Sequence, residues 1–412
     1  MTIALVAIAA TFAAQGAVPV APTASGAATP GVSTYVDLEG GLGYSTNPNL
    51  TLGDGSGRAL VRASAHAVHT RYSARSTTRL SAFGENVTYF GRYGSQQLVQ
   101  LSAHHDTAVD EKLRVFGDLN ASLDRSGQLG TRFLSVGPVV APLTPTLILP
   151  TLPDPQGSFV TADGRNYRLG GQVGALLSVS AVDSVTVRVG ADRVLLRGTS
   201  FDTRYSVYRA SVGYDRSLNA RTTIGQVVTL QTTDYDGPAS VTVVTPQLTA
   251  RLALSDRTDL SGAVGLSFAK VKNRLVTERS TGIAANASLC RRGESDQLCA
   301  TIGRDQQTAT IAGPVTVLSA GVSYSKRLDA KQTFQLSASG NRYSDQLNSL
   351  LPTAVVGGSS YLTGAAAYTR QLGARLYGGT NLSARRLFRD GRNPKADVSG
   401  SLFLRLRLGD RQ

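Results

Sequence analysis

The stretch Val398-Ser-Gly-Ser-Leu-Phe-Leu-Arg-Leu-Arg-Leu408 carries the clearest pattern in the chain. Val398 and the leucines fall on one face of an extended chain, and the serines and arginines fall on the other. A period of two indicates a β-strand, because successive side chains of a strand point to opposite faces. Segments of similar length recur down the chain, and a tilted strand that crosses a bilayer needs roughly 9–11 residues. The sequence therefore predicts a transmembrane β-barrel in which this last strand pairs with the first.

The composition agrees with this fold class. The 412 residues include 43 Gly, one Met and no Trp, and only 17% are charged. The mean hydropathy of −0.06 suits strands that average a lipid-facing side with a wet side. After the N-terminus no apolar run is long enough for a helical span. We expect a single all-β domain over residues 32–412, a transmembrane antiparallel up-and-down barrel.

The positive charge does not indicate nucleic-acid binding. The chain has 42 Lys and Arg against 28 Asp and Glu, which gives a net charge of +14. The basic residues stand one at a time in alternating positions and at strand ends, whereas a nucleic-acid site needs them clustered on one element. This distribution favours a wet lumen and rims that face phosphate-rich lipid.

Residues 1–31 differ from the rest and predict a signal peptide with a flexible lead-in. Residues 3–14 are apolar, and Ala14-Gln15-Gly16 offers small residues for cleavage. The usual basic segment is absent, because no Lys or Arg precedes Arg58. An ordinary buried helix is the alternative. Export through the periplasm to the outer membrane of a Gram-negative cell is the expected route.

The connections between predicted strands alternate in length. Short ones fall at 181–184, 255–258, 328–331 and 372–374, and the two longest at 124–166 and 273–313. The first of these long connections holds six of the 15 prolines, which cannot supply ladder donors. Its apolar part, residues 143–152, suggests inward folding or a partner contact. Short periplasmic turns and long extracellular loops are typical of outer-membrane barrels, and the count comes to about sixteen strands.

Cys290 and Cys299 lie in the second predicted loop. In an exported chain two cysteines most simply form a disulfide, which here would stiffen an exposed loop. A metal site is the alternative, but it needs further ligands and no His lies nearby.

The four histidines are at 66, 69, 104 and 105. His104-His105-Asp106 suggests a metal site or a hydrolytic pair, but adjacent strand residues point to opposite faces, which favours solvated histidines at the rim. No Gly-x-Ser-x-Gly element is present. We expect no enzyme activity, no metal and no cofactor.

The predicted lumen is basic. The inward faces carry Arg58, Arg62, Arg79, Arg114, Arg168, Arg209, Arg251, Arg375, Arg405 and Arg407, with Asp37, Glu39 and Asp118 as the acids. Rings of basic side chains select for anions. The alternative is that many of these arginines pair with acids or line the headgroup zone.

The stretch Glu39-Gly-Gly-Leu-Gly-Tyr-Ser-Thr-Asn-Pro-Asn-Leu50 resembles the first strand and outer turn of the β-barrel porin-like outer-membrane proteins of Gram-negative bacteria. These are often found in sphingomonads, and some are linked to exopolysaccharide systems. The loop around the cysteines and strand ends such as Tyr214-Asp-Arg-Ser-Leu218 are similar too. Such barrels usually end on an aromatic residue that the barrel-assembly machinery recognises. Here Leu408 is followed by Gly409-Asp-Arg-Gln412, so the expected recognition either uses the internal Phe403 or tolerates the tail.

Two functions follow. The first is a porin-like passive channel for small polar or anionic solutes, associated with surface polysaccharide export. The second is a structural barrel, plugged by its loops, that anchors or scaffolds a surface polymer or partner protein. A rim hydrolase is weaker than either. Outer-membrane lipid, lipopolysaccharide and the assembly machinery are the expected partners, and nucleic acid is not.

Overall fold

The computed structural model describes ten segments of the chain. They are residues 31–48, 57–91, 94–125, 165–197, 202–237, 239–272, 277–309, 313–345, 359–389 and 395–409. The predicted signal peptide and the apolar stretch 143–152 lie outside the described residues.

The described chain is a meander of antiparallel strands that closes on itself. The strands are β1 (Gly31–Ser45), β2 (Arg58–Tyr72), β3 (Ser76–Tyr89), β4 (Ser95–Ala108), β5 (Leu113–Asp124), β6 (Arg165–Ser178), β7 (Asp183–Arg197), β8 (Asp202–Asn219), β9 (Thr222–Tyr235), β10 (Ser240–Ser255), β11 (Thr258–Lys272), β12 (Thr277–Arg292), β13 (Asp296–Ala309), β14 (Gly313–Arg327), β15 (Gln332–Asp345), β16 (Ser359–Gln371), β17 (Leu376–Arg389) and β18 (Asp397–Gly409). Each pairs with its neighbours in sequence, and β18 pairs with β1. The predicted closed antiparallel barrel is confirmed. In the described part of the chain, no helix has the length and apolarity needed to cross a membrane.

The barrel has 18 strands, so the predicted count of about sixteen is wrong. The two extra strands are β12 and β13, which occupy most of the predicted loop 273–313. Much of β12 consists of small residues, as in Gly282-Ile-Ala-Ala-Asn-Ala-Ser288, and these occur on both of its faces. A strand of this kind has little apolar alternation for a sequence pattern to detect.

The two faces of the wall differ in chemistry. The outward face is apolar and exposed, for example at Leu42, Leu119, Leu169, Leu248, Leu382 and Leu402. The inward face carries buried polar side chains, among them Asp37, Glu39 and Arg405. Exposed apolar surface this extensive is unusual on a soluble protein, and it is the surface that a barrel offers to lipid.

Very short turns join the strands at one rim. They comprise residues 73–75, 109–112, 179–182, 220–221, 256–257, 293–295, 328–331 and 372–375. In one of them Asp110 accepts the backbone N–H groups of Lys112 and Leu113, each at 2.7 Å, and these bonds lower the pKa of its carboxyl group. The opposite rim includes the long connection between Asp124 and Arg165. We call the two edges the short-turn rim and the long-connection rim.

One hydrogen-bonded ladder is much shorter than the others. β12 and β13 pair from Arg292↔Gln297 up to Ala285↔Arg304, and within the described residues their pairing ends there. β12 nevertheless continues beside β11, and β13 beside β14, towards the long-connection rim. This ladder is therefore the shortest in the described wall.

The predicted disulfide is present, in a different setting. Cys290 and Cys299 are bonded and lie directly opposite each other in the β12–β13 ladder. They stand next to the turn 293–295, at the short-turn rim, so the bond joins two wall strands and does not stiffen an outer loop. Its place in the shortest ladder suggests that it holds the two strands together.

We expect Leu402→Arg to destabilise the barrel in lipid. Leu402 is 66% exposed on the outward face, near the middle of β18. An outward Arg at the bilayer midplane should lower the free energy of unfolding by about 2–4 kcal/mol, measured by urea unfolding in phosphatidylcholine vesicles. Ser401→Arg, on the adjacent inward position, is the control and should cost much less. Equal losses would contradict the assignment of faces.

Removal of the disulfide should loosen one junction selectively. The variant with both Cys290→Ser and Cys299→Ser should lose roughly 2–3 kcal/mol of stability, the value for closing a loop of this size. Backbone amides of β12 and β13 should then exchange faster with deuterium, while those of the β1–β2 ladder stay unchanged. Uniform acceleration around the whole ring would show that the bond has no local role.

Candidate functional site

The inner wall is the candidate functional site, and a group of buried ion pairs lies on it where the ring closes. Arg407 makes two hydrogen bonds to Asp37, Nε to Oδ1 and Nη2 to Oδ2, both at 2.7 Å. Arg405 binds one oxygen of Glu39, at 3.0 Å from Nε and 2.7 Å from Nη2. Each partner lies directly opposite the other in the β1–β18 ladder, and all four side chains are buried. Charge-assisted bonds thus reinforce the backbone ladder at the closure.

This network continues onto the next two strands. Arg62 of β2 donates from Nε to Oε2 of Glu85 on β3 at 2.6 Å, and its Nη1 lies 3.6 Å from Oε1 of Glu39. The guanidinium of Arg407 also lies 4.4 Å from the centre of the Tyr35 ring. Carboxylates and an aromatic face therefore hold these guanidinium groups in fixed positions. We call this group the closure network.

A second buried cluster joins β6, β7 and β8. Asp192 accepts hydrogen bonds from Arg168 through Oδ1, 2.6 Å from Nη2, and from Arg209 through Oδ2. Its side chain is 6% exposed and that of Arg168 is 5% exposed. One carboxylate thus neutralises part of the charge of two guanidinium groups.

A third cluster lies at the long-connection rim between β17 and β18. Asp397 accepts a hydrogen bond from Arg385 Nε at 3.1 Å, from Ser45 Oγ at 2.7 Å and from the backbone N–H of Asn47 at 2.9 Å. Arg385 was absent from the predicted inward set. Its alternation with Asn381 and Ser383 along β17 is the signal that would have placed it on the inward face.

The ten predicted arginines lie in different settings. Those paired with a carboxylate are Arg62, Arg114, Arg168, Arg209, Arg405 and Arg407. Among the described residues, Arg58, Arg79 and Arg251 lie on the inward faces of β2, β3 and β10 without a carboxylate partner. Arg375 is a correction, because it lies in the exposed turn before β17, where its carbonyl accepts the Arg407 N–H.

The inner wall contains more acids than the sequence analysis assigned to it. In addition to Asp37, Glu39 and Asp118, the inward ion pairs use Glu85, Asp106, Asp192, Asp259 and Asp397. The expectation of a lumen with few acids is therefore wrong. The reason is that the partner of a wall arginine lies on a neighbouring strand, which the alternation within one strand does not reveal.

The four histidines do not converge on one site. His104 points inward, with Nδ1 2.7 Å from Asp118 Oδ1, whereas the adjacent His105 points outward towards Thr78. His66 lies inward beside Ser81, and His69 lies outward beside Thr34. The arrangement provides hydrogen bonds between neighbouring strands and brings no nucleophile together with a base.

Three strands of the inner wall, β9, β15 and β16, have polar but uncharged inner faces. On β9, β15 and β16 the inward side chains that the structure describes include no charged residue. Most are hydroxyl or amide groups, such as Thr229, Gln231, Ser337, Ser339, Asn341, Thr363 and Thr369. The lumen thus combines ionic regions, such as the closure network and the Asp192 cluster, with strands that offer neutral hydrogen-bonding groups. We call the inner faces of β9, β15 and β16 the hydroxyl wall.

Known protein structures resemble this chain only in the outline of the fold. No protein-family model matches the chain, and no curated protein matches its sequence. OccK2 (OpdF) of Pseudomonas aeruginosa, solved in complex with glucuronate, is 12% identical over 92% of this chain and 98% of its own, with a TM-score of 0.46. The siderophore receptor PirA of Acinetobacter baumannii is 8% identical over 91% and 80%, with a TM-score of 0.44. The FrpB iron transporter of Neisseria meningitidis is 8% identical over 91% and 81%, with a TM-score of 0.47.

None of these three names describes an enzyme. These likenesses concern the fold alone, and the function of this chain is inferred from its own geometry.

The Asp192 cluster gives a clear stability prediction. Asp192→Asn should leave Arg168 and Arg209 buried without their carboxylate and lower the free energy of unfolding by about 3–5 kcal/mol. The control is Glu294→Gln, which breaks the exposed pair with Arg257 and should cost under about 1 kcal/mol. Urea unfolding in vesicles measures both. An equally small effect of Asp192→Asn would show that the cluster is open to water.

Proposed function

We propose that the chain is an outer-membrane barrel of a Gram-negative cell and a passive channel for small polar solutes. The observation that carries this proposal is a closed ring of 18 strands, apolar outside and polar inside. Rings of 16–18 strands are wide enough to leave an aqueous channel, whereas those of about eight are filled by their own side chains. A polar interior in a ring of this size is most simply explained by solutes that cross with water.

The two rims support an orientation. The short-turn rim would face the periplasm and the long-connection rim the outside, as is usual for bacterial barrels. Residues 1–31 would direct export, and the barrel-assembly machinery would insert the chain. Lipopolysaccharide and the other outer-membrane lipids would contact the outward face.

The chemistry of the lumen supports a solute class. The hydroxyl wall offers neutral donors and acceptors, which suit uncharged polar solutes. Inward arginines without a carboxylate partner among the described residues, such as Arg58, Arg79 and Arg251, favour anions, and the inward acids Asp215, Glu278 and Asp305 offset part of this preference. The channel should therefore pass neutral polar solutes and prefer small anions to cations only modestly.

One observation favours a second candidate function. Inward residues near the long-connection rim are apolar and buried, notably Val194, Tyr205 and Val207 in one cluster and Val241 and Val243 in another. An apolar collar suits a plugged barrel that anchors or scaffolds a surface polymer or a partner protein. An association with surface polysaccharide export is compatible with either function, and a rim hydrolase has no support from the histidine geometry.

Channel activity is tested by conductance of the refolded protein in a planar bilayer with a KCl gradient. We expect stable steps and a reversal potential that shows a modest anion preference. The variant with Arg79→Glu and Arg251→Glu should shift the preference towards cations, because both groups lie on the inward face. Liposome swelling with neutral sugars measures the uncharged solutes.

The matched control has Arg71→Glu and Arg291→Glu, which change the net charge equally on the outward face. It should leave the reversal potential unchanged. Silence from verified, heat-modifiable barrel would refute the channel and favour the plugged scaffold. Equal shifts in both variants would show that surface charge, and not the lumen, sets the preference.

A further inference from the structure

A row of arginines follows the outward face of β13–β17, at the edge of the apolar band nearer the long-connection rim. Arg304 of β13 lies opposite Leu318 of β14, which lies opposite Arg342 of β15. Leu362 of β16 likewise lies opposite Arg386 of β17. Arginines therefore occupy three alternate strands, and a leucine stands on each strand between them. We call Arg304, Arg342 and Arg386 the arginine row.

The charges of the row are exposed and lack acidic partners. Among the described residues none of the three forms an ion pair, in contrast to most arginines of the inner wall. Arg386 stacks on Phe388, with 4.6 Å between its guanidinium carbon and the ring centre, and this contact leaves its N–H groups free to bind. Neighbouring members are two strands apart, about 10 Å, so their long side chains can reach one multiply charged headgroup.

The row belongs to one side of the barrel. On β18 and β1–β4, outward positions in the half towards the long-connection rim are apolar or neutral, for example Val398, Leu42, Tyr44, Val61 and Val99. No outward Lys or Arg occurs there in the described segments. Outward basic residues also lie at this level on β6–β8, β11 and β12, for example Arg204, Lys270 and Arg279, so a basic arc of the wall faces a bare one on β18 and β1–β4. Within the basic arc, the arginine row is the stretch in which a leucine separates successive arginines.

We propose that the arginine row binds the phosphorylated headgroup of a membrane lipid, with its acyl chains lying along the leucines. Leu318 and Leu362 are 46% and 49% exposed, and Leu336 continues this apolar surface towards the short-turn rim. Guanidinium groups bind phosphate through paired, charge-assisted hydrogen bonds. The ligand class is a lipid with phosphate groups on its head, such as a bis-phosphorylated glycolipid of the outer leaflet. The proposal rests on the membrane position inferred above and not on channel activity.

The test is lipid binding to full-length barrel refolded in detergent, measured by native mass spectrometry. The probes are a bis-phosphorylated glycolipid and its dephosphorylated counterpart. Wild type should retain the phosphorylated lipid, and the variant with Arg304→Gln, Arg342→Gln and Arg386→Gln should bind it at least about tenfold more weakly, because each basic group near a membrane surface contributes measurably. The dephosphorylated lipid should bind both proteins weakly and equally.

The matched control neutralises outward basic residues at the other edge of the same region. Arg291→Gln, Lys326→Gln and Arg370→Gln lie on β12, β14 and β16 near the short-turn rim, and this variant should bind the lipid like wild type. Equal weakening in both triple variants, or none in the first, would overturn the site. Displacement of the lipid by inorganic phosphate alone would identify a free-anion site and also overturn the proposal. If the first variant does not fold into a heat-modifiable barrel, the single variant Arg342→Gln replaces it. Arg342→Lys, which retains the charge, is then its control.

Because the assay contains no transport step, its outcome is independent of the conductance experiment. A silent channel that still binds the phosphorylated lipid would refute the channel and leave the lipid site standing.

Discussion

The β1–β18 ladder is the interaction on which the rest of the structure depends. Inside a membrane no water is available to satisfy backbone N–H and C=O groups, so a sheet can cross only if it has no open edge. Eleven residue pairs, from Tyr35↔Gly409 to Ser45↔Ser399, join the first strand to the last. The closure network is superimposed on this ladder, because Asp37 and Glu39 face Arg407 and Arg405 in the same register. A one-residue slip would send these charges to the lipid side, so the ion pairs select the register as well as stabilise it.

Charge compensation then determines the character of the lumen. Carboxylates hold the paired arginines in place. These ion pairs mainly stabilise the wall, because the electrostatic fields of the two opposite charges largely cancel at a distance from the pair. In the proposed channel, selectivity would depend on inward charged groups outside the ion pairs, such as Arg58, Arg79 and Arg251, and on the hydroxyl wall. The outward face shows the opposite arrangement, because the arginine row has no acid to neutralise it.

The sequence predicted the fold class, the closure by the last strand and the cysteine pair, because long strands with one apolar face have few alternatives. It did not predict Arg385 or the pairing of Arg168 and Arg209 with Asp192, since these depend on which strands become neighbours and in what register. Arg375 was misplaced because the end of the turn before β17 continues the alternation of the strand. Likewise β12 and β13 escaped detection because small residues on both faces of β12, and few large apolar residues on β13, weaken the apolar period.

The weak apolar pattern of β12 and β13 gives the disulfide a second structural role. Where the apolar pattern is weak, the side chains distinguish the correct register of two strands from a slipped one less strongly. Cys290 and Cys299 meet only in the correct register, so the disulfide reinforces an alignment that the other side chains of the hairpin specify weakly. In an oxidising compartment, formation of the disulfide would thus fix the register of this hairpin before the wall around it is complete.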